Sequence, residues 1–261
     1  MKHHSKNTLA RLASNSRFYF LISTLCVSCI VASYLRTAIV SDQLYYIRLQ
    51  QVFGGLSLIY WYVVLLISPL KSTYGPGPML EQLVFLRRAI GVSAAGFALA
   101  HSLIALYGQL GGIGGLSLLP ASFLRALIFG GITLLILVIM AATSFDRVVR
   151  WMTPARWKWL HRLGYIGGVT VLLHVWIIGS HSQYLSTKII VGACLALLFY
   201  LESVRLTKRL ARRYSDFGQK ELFYTLVICI WTLLMGLLLL LPRLAPNYHA
   251  GHTSHSEIRH E

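Results

Sequence analysis

Seven stretches of this chain are each long and apolar enough to cross a lipid bilayer, and that pattern constrains the fold more than any other feature. They run approximately Phe18–Leu35, Val52–Leu70, Ala89–Tyr107, Phe123–Ala142, His161–Gly179, Lys188–Val204 and Leu222–Leu241. A crossing takes about 20 helical residues at roughly 1.5 Å each. Lipid offers backbone amides no hydrogen-bond partners, so a spanning segment must be a helix or part of a closed barrel. Barrel strands alternate apolar and polar residues over about ten positions, and these blocks do not alternate. Charged residues make up 12% of the chain, about half the share of a soluble domain, too few to coat the surface of a soluble protein of this length. The expectation is an all-α integral membrane protein, a bundle of transmembrane helices in contact with lipid.

The formal net charge of +16 sits in the short connections between blocks, as the positive-inside rule requires, beside the anionic leaflet. It therefore does not point to nucleic acid. Basic residues collect in the N-terminal segment, in the 71–88 loop (Lys71, Arg87, Arg88), in the 143–160 loop (Arg147, Arg150, Arg156, Lys158) and in the 205–221 loop (Arg205, Lys208, Arg209, Arg212, Arg213, Lys220). The intervening 36–51, 108–122 and 180–187 loops carry few positive charges or none. This alternation predicts a cytoplasmic N-terminal tail over 1–17, a basic cytoplasmic loop over 205–221, a last crossing at 222–241 and an outward C-terminal tail over 242–261. In a bacterium the membrane is the inner one and the C-terminus is periplasmic. The first apolar block exceeds the 7–15 residues of a signal-peptide core and lacks a small-residue cleavage site, so it reads as an uncleaved anchor.

Two motifs lose their usual meaning in this setting. Cys26 and Cys29 form a C-x-x-C, but one helical turn apart inside an apolar block they read as small packing residues. The glycine-rich stretch at 108–122 has no Lys and no preceding strand, so it is not a phosphate-binding loop. It reads as an outer connection. No nucleotide-binding fingerprint occurs elsewhere.

The chemistry lies in three intramembrane histidines, His101 in the third block and His161 and His174 in the fifth. An ionisable side chain at that depth is costly and marks a functional site, although a lone neutral His can simply bond across a helix interface. Depth favours function. His101 lies fourteen residues beyond Arg87, and His174 thirteen beyond His161. With both helices running outward, His101 and His174 are predicted at nearly one height, where two imidazoles can grip one haem iron and leave no open position, a ligation suited to electron transfer. His161 is predicted about 19.5 Å lower, where a second haem would lack a partner because Arg87 and Arg88 stand opposite. On an ideal helix it would also point about 140° away from His174.

At these residues a family becomes recognisable. The stretch TSFDRVVRWMTPARWKWLHRLGYIGGVTVLLHVW (143–176) resembles the ferric-reductase-like transmembrane domain. Within that family it is most similar to the haem-binding membrane subunit of the bacterial periplasmic methionine sulfoxide reductase system. It shares T-S-x-D-R, then R-W-x-x-L-H-R-L-x-Y, then a second His thirteen residues after the first. SPLKS (68–72) looks like that subunit's T-P-L-R-R helix end, and LRRAIGVSAAGFALAHSLIALY (86–107) looks like its R-R-x-L-G…L-H…Y helix. The resemblance spans roughly residues 50–200. It implies a six-helix core over 18–204 that binds b-type haem, one or two, at His101, His161 and His174. The related oxidases and metalloreductases carry a further His on the third helix and a flavin and nicotinamide domain, neither of which occurs here. The resemblance further implies electrons from a cytoplasmic flavin reductase or quinol, a periplasmic molybdenum-containing reductase as acceptor, and an association with flavin mononucleotide that no motif here places.

The chain also departs from that subunit. A seventh C-terminal helix adds to the six, and the tail carries His249, His252, His255 and His260, imidazoles with a general affinity for Cu, Ni or Zn in what otherwise reads as a solvated polar tail. Arg125, near the outer end of the fourth block, is a candidate partner for a haem propionate or a snorkelling side chain. His181, in the outer loop just past the fifth block, is a candidate to line an electron exit or bind metal, or a plain loop His. Trp151, Trp157 and Trp159 read as an interfacial anchor. The expected function is a haem-based electron-transfer subunit of an oxidoreductase. The alternatives are a ferric or cupric metalloreductase component, a haem-free proton or metal transporter or channel using the same histidines, and a purely structural subunit.

Overall fold

In the computed structural model the described residues are 2–178, 184–211, 221, 224–227 and 229. Among them every regular element is helical. The long elements are α1 (Lys2–Ala38), α2 (Asp42–Tyr74), α3 (Pro78–Leu103), α4 (Ala121–Ala142), the short pair α5 (Asp146–Trp151) and α6 (Pro154–Leu160), then α7 (Leu163–Ile178) and α8 (Leu185–Ala211). Six helical stretches are long and apolar enough to cross a membrane: Ser16–Ala38, Asp42–Tyr74, Pro78–Gln109, Ala121–Ala142, Pro154–Ile178 and Leu185–Leu210. The chain is a multi-pass membrane protein. The seventh crossing expected at 222–241 lies largely outside the described residues, and His181 and the histidine-rich tail lie wholly outside them.

Local chemistry sets the helix starts. Ser41 caps α2 through its side chain, which accepts from the Leu44 amide at 3.4 Å, and Asp42 follows in the first turn, where the helix dipole favours a carboxylate. Gly77 precedes Pro78 at the start of α3, and Thr153 caps α6 with Pro154 behind it, the placement proline prefers. Between α2 and α3 the chain turns through Gly75 at a φ of 83°, a left-handed setting that favours glycine.

Three boundaries differ from those expected. α3 begins at Pro78, so Arg87 and Arg88 are helical rather than in a loop. Arg87 donates to the Ser68 hydroxyl at 2.8 Å and Arg88 pairs with Asp146 at 2.6 Å; these partners supply what a charge count along the sequence does not show. Beyond His101 the helix widens into a π-helical turn, Ile104–Gln109, followed by a 3-10 turn over Ile113–Leu118. Finally, the fifth crossing is broken. α6 ends at Leu160 and α7 starts at Leu163, with His161 and Arg162 in the turn between them.

α2 packs most extensively against α3 and α4 against α7, and the two pairs meet through α3 and α4. Small residues let the first pair approach closely: Ala89, Ser93, Ala94 and Ala95 are all buried on α3, and Ser57 donates to the Ala94 carbonyl at 2.9 Å. Without a hydrophobic drive between helices in lipid, such close contact and interhelical bonding hold the bundle. Phe53, Phe97 and Tyr60 stack in series at 5.7 and 5.4 Å between ring centres. Large apolar side chains on the outward faces, such as Ile59, Ile128, Leu135 and Ile189, are exposed, as they must be where lipid is the solvent.

Candidate functional site

His101 on α3 and His174 on α7 face each other across the centre of the bundle, their ring centres 6.2 Å apart and their planes 87° from parallel. Each ring is tied down from behind. The Nδ1 of His101 lies 2.9 Å from the Gln50 carbonyl on α2, and the Nδ1 of His174 lies 2.8 Å from the Ala126 carbonyl on α4. A carbonyl only accepts, so each Nδ1 is the protonated donor and each Nε2 keeps its lone pair. The result is two imidazoles oriented by backbone carbonyls, each of which, in its neutral form, has an Nε2 lone pair available for ligation.

Both rings line a cavity of about 320 Å³, within the roughly 300–1,000 Å³ range of small-molecule sites. Its walls are Leu, Ala, Val, Ile and glycine side chains, with Trp61 and Leu137 towards the Arg87 end and Leu110 and Leu116 towards the other. The hydroxyls in the lining are already occupied: Ser57 donates to Ala94, Ser102 to the Ala98 carbonyl, and Thr133 bonds with Thr170 at 2.7 Å. What remains is a largely apolar slot lined by the two imidazoles, with Gln50 as a further polar side chain in its wall.

A metal–nitrogen bond of about 2 Å, with about 1 Å more to the ring centre, puts two imidazoles on one metal about 6 Å apart between centres. The observed 6.2 Å fits. No group of three or more His, Cys, Asp or Glu comes together among the described residues, so the pair offers two ligands and no more. A metal held here by the two imidazoles would have to bring its other ligands with it, as an iron porphyrin does. The donor set, the spacing and the walls all suit that group.

The comparisons with known proteins bear on the same helices. The family described as ferric reductase like transmembrane component matches residues 53–172, from α2 to the turn of α7 that precedes His174. Residues 53–172 are thus similar to a ferric-reductase-like transmembrane component. A similar protein is the haem-binding subunit MsrQ of protein-methionine-sulfoxide reductase from Ralstonia nicotianae, 33% identical over 129 residues, covering 47% of this chain and 55% of that one. The chain thus aligns with about half the length of this curated relative. No solved structure matches.

The second level of the bundle is built differently. His161, in the turn before α7, stacks on Trp157 with ring centres 4.0 Å apart, and its Nε2 lies 3.5 Å from the Thr143 hydroxyl. The cavity beside it measures about 60 Å³ and is bounded by Trp61, Arg87, Arg88, Met140, Trp157 and Tyr165. No second imidazole faces it among the described residues. Because the helix breaks at His161, the phase count that set it about 140° from His174 does not apply.

Arg125 is exposed on α4 and is absent from the cavity wall, although its neighbour Ala126 is the residue that holds His174. Four residues that shape the site carry no sequence signal of chemistry: Gln50, Gly54, Ala126 and Gly130. The only hint is that Gly54–Gly55 and Gly130–Gly131 are glycine pairs inside apolar helices, where small residues mark close approach.

Proposed function

We propose that this chain is a haem-binding transmembrane electron-transfer subunit, with one b-type haem clamped between His101 and His174. The observation that carries the reading is the imidazole pair, spaced for one metal, pre-oriented by backbone carbonyls and enclosed in an apolar slot. A haem held there by His101 and His174 would supply one-electron Fe(III)/Fe(II) exchange. Among the described residues no Cys lies in the cavity lining, which supports a non-covalent haem. The protein's own contribution is to fix the two ligands, exclude water and tune the potential. Arg125, exposed near the outer end of α4 and outside the cavity lining, is the candidate partner for a haem propionate at that level.

Charge distribution supports an inner-membrane setting with the N-terminus cytoplasmic and the haem nearer the periplasmic face. The likeness to the Ralstonia subunit supports a partnership with a periplasmic methionine sulfoxide reductase catalytic subunit, a molybdenum-containing enzyme by the family resemblance. Electrons would come from a cytoplasmic flavin reductase or quinol, since the sequence holds no nucleotide-binding fingerprint.

Oxidised and dithionite-reduced spectra of the detergent-solubilised protein test the reading. Sharp low-spin b-type bands with one haem per chain are expected. A colourless protein after haem-replete expression overturns it and favours a transporter using the same histidines. In His161→Ala the spectrum and haem content are expected to stay at the wild-type level, because that ring belongs to the smaller cavity; loss of all haem would defeat the single-site assignment.

A further inference from the structure

The two imidazoles are held by one device used twice. On α2 the carbonyl that takes His101 belongs to Gln50 and the residue four further on is Gly54. On α4 the carbonyl that takes His174 belongs to Ala126 and the residue four further on is Gly130. In an α-helix the side chain at i+4 leans towards the N-terminus and lies over the carbonyl of residue i. It is the position from which Ser and Thr reach back to that oxygen. Any side chain there screens the carbonyl from an approaching group. Glycine leaves it open.

The closeness of approach shows how completely the notch is used. A Cβ added at Gly54 would lie 2.8 Å from the His101 Nδ1 and 3.1 Å from its Cε1. A Cβ added at Gly130 would lie 2.8 Å from the His174 Nδ1 and 2.9 Å from its Cε1. Each ring therefore rests against bare backbone, and an alanine at either position must push it off its carbonyl. Neighbouring glycines are not used in this way: Gly55, Gly131 and Gly168 have nothing within 4 Å of an added Cβ. The carbonyls keep their intrahelical bonds as well, since an oxygen with two lone pairs can accept twice.

We propose that Gly54 and Gly130 are positioning residues that set the angle between the axial imidazoles and lower the haem's reduction potential. The Nδ1–H···O=C bond makes each ligand more basic, which stabilises the ferric state, and second-shell bonding of this kind is a recognised lever on haem potential. The notch also fixes each ring's rotation about its metal–nitrogen axis, which holds the two planes near perpendicular. The inference rests on the haem reading above, and the two fail separately. A chain that takes up no haem ends the first; a haem-loaded chain indifferent to these glycines ends only the second.

The test uses the full-length protein in detergent. Gly54→Ala and Gly130→Ala are each expected to raise the midpoint potential, shifting the reduction equilibrium about tenfold, or about 59 mV for a one-electron couple. Each should also alter the anisotropy of the low-spin EPR signal, which depends on the angle between the imidazole planes. Gly55→Ala is expected to change neither. Unchanged potential and EPR signal in both variants would overturn the proposal, as would equal shifts in the Gly55→Ala control. Should the variants fail to accumulate, the unmodified protein still decides: a strongly anisotropic low-spin signal is expected from perpendicular ligand planes, and a signal typical of parallel planes would refute the assignment.

Discussion

His101→Ala and His174→Ala are each expected to abolish the low-spin haem spectrum, taking haem content from stoichiometric to near zero. Each substitution removes one of the two proposed ligands, and the described residues offer no replacement: the lining hydroxyls are bonded within the bundle, and no other His, Cys or carboxylate among the described residues lines the cavity. The vacated space has the shape of the missing ring, and a carbonyl acceptor remains at its back. Added imidazole is therefore expected to enter either variant and restore the low-spin bands, a recovery that a globally misfolded chain would not show. A low-spin spectrum persisting in either variant without added imidazole, measured in the purified protein, would remove that histidine from the ligand set.

Gly167→Ala is expected to destabilise the bundle by about 1–3 kcal/mol, the usual penalty for overpacking a filled interior. Its added Cβ would stand 2.5 Å from Cη2 and 2.8 Å from Cζ2 of Trp61, and 3.4 Å from Ile136. The indole is rigid and only 4% exposed, so it cannot swing aside as a flexible chain would. Trp61 borders both cavities, and displacing it narrows the larger one. Thermal melting in detergent should show a lower midpoint for Gly167→Ala together with reduced haem content, whereas Gly168→Ala, next along the chain and facing open space, should melt as the parent does. Equal melting of the two variants would show that the contact between Gly167 and Trp61 is not tight.

Some of this was open to inspection in the sequence and some was not, for physical reasons that particular residues illustrate. Long apolar blocks announce helices in lipid because nothing else satisfies the backbone there, and six of the stretches read as crossings are helical spans in the structure. Depth is also countable: rise per residue is constant, so two histidines at similar distances from the basic boundary come to one level, and their rings meet. Azimuth is not countable in the same way. It depends on how each helix is rotated by its neighbours and on breaks such as the one at His161, which an unbroken periodic pattern conceals. The start of α3 was hidden because Arg87 and Arg88 look like loop charges until Ser68 and Asp146 are seen beside them. The π-helical turn after His101 leaves no mark in composition, yet from it Gln109 bonds to the Gln50 side chain. Backbone carbonyls are the least legible of all, because every residue has one and only the fold selects Gln50 and Ala126.

The interruption between α6 and α7 has a consequence for how this domain tolerates change. An unbroken helix would gear the lower imidazole to the upper one, so that any twist improving one ring's aim would spoil the other's. With the helix interrupted at residues 161–162, the upper imidazole can be aimed from its own end while the lower ring stays seated on Trp157. The two storeys of the bundle are thereby free to diverge, one keeping its imidazole pair while the other takes up different work.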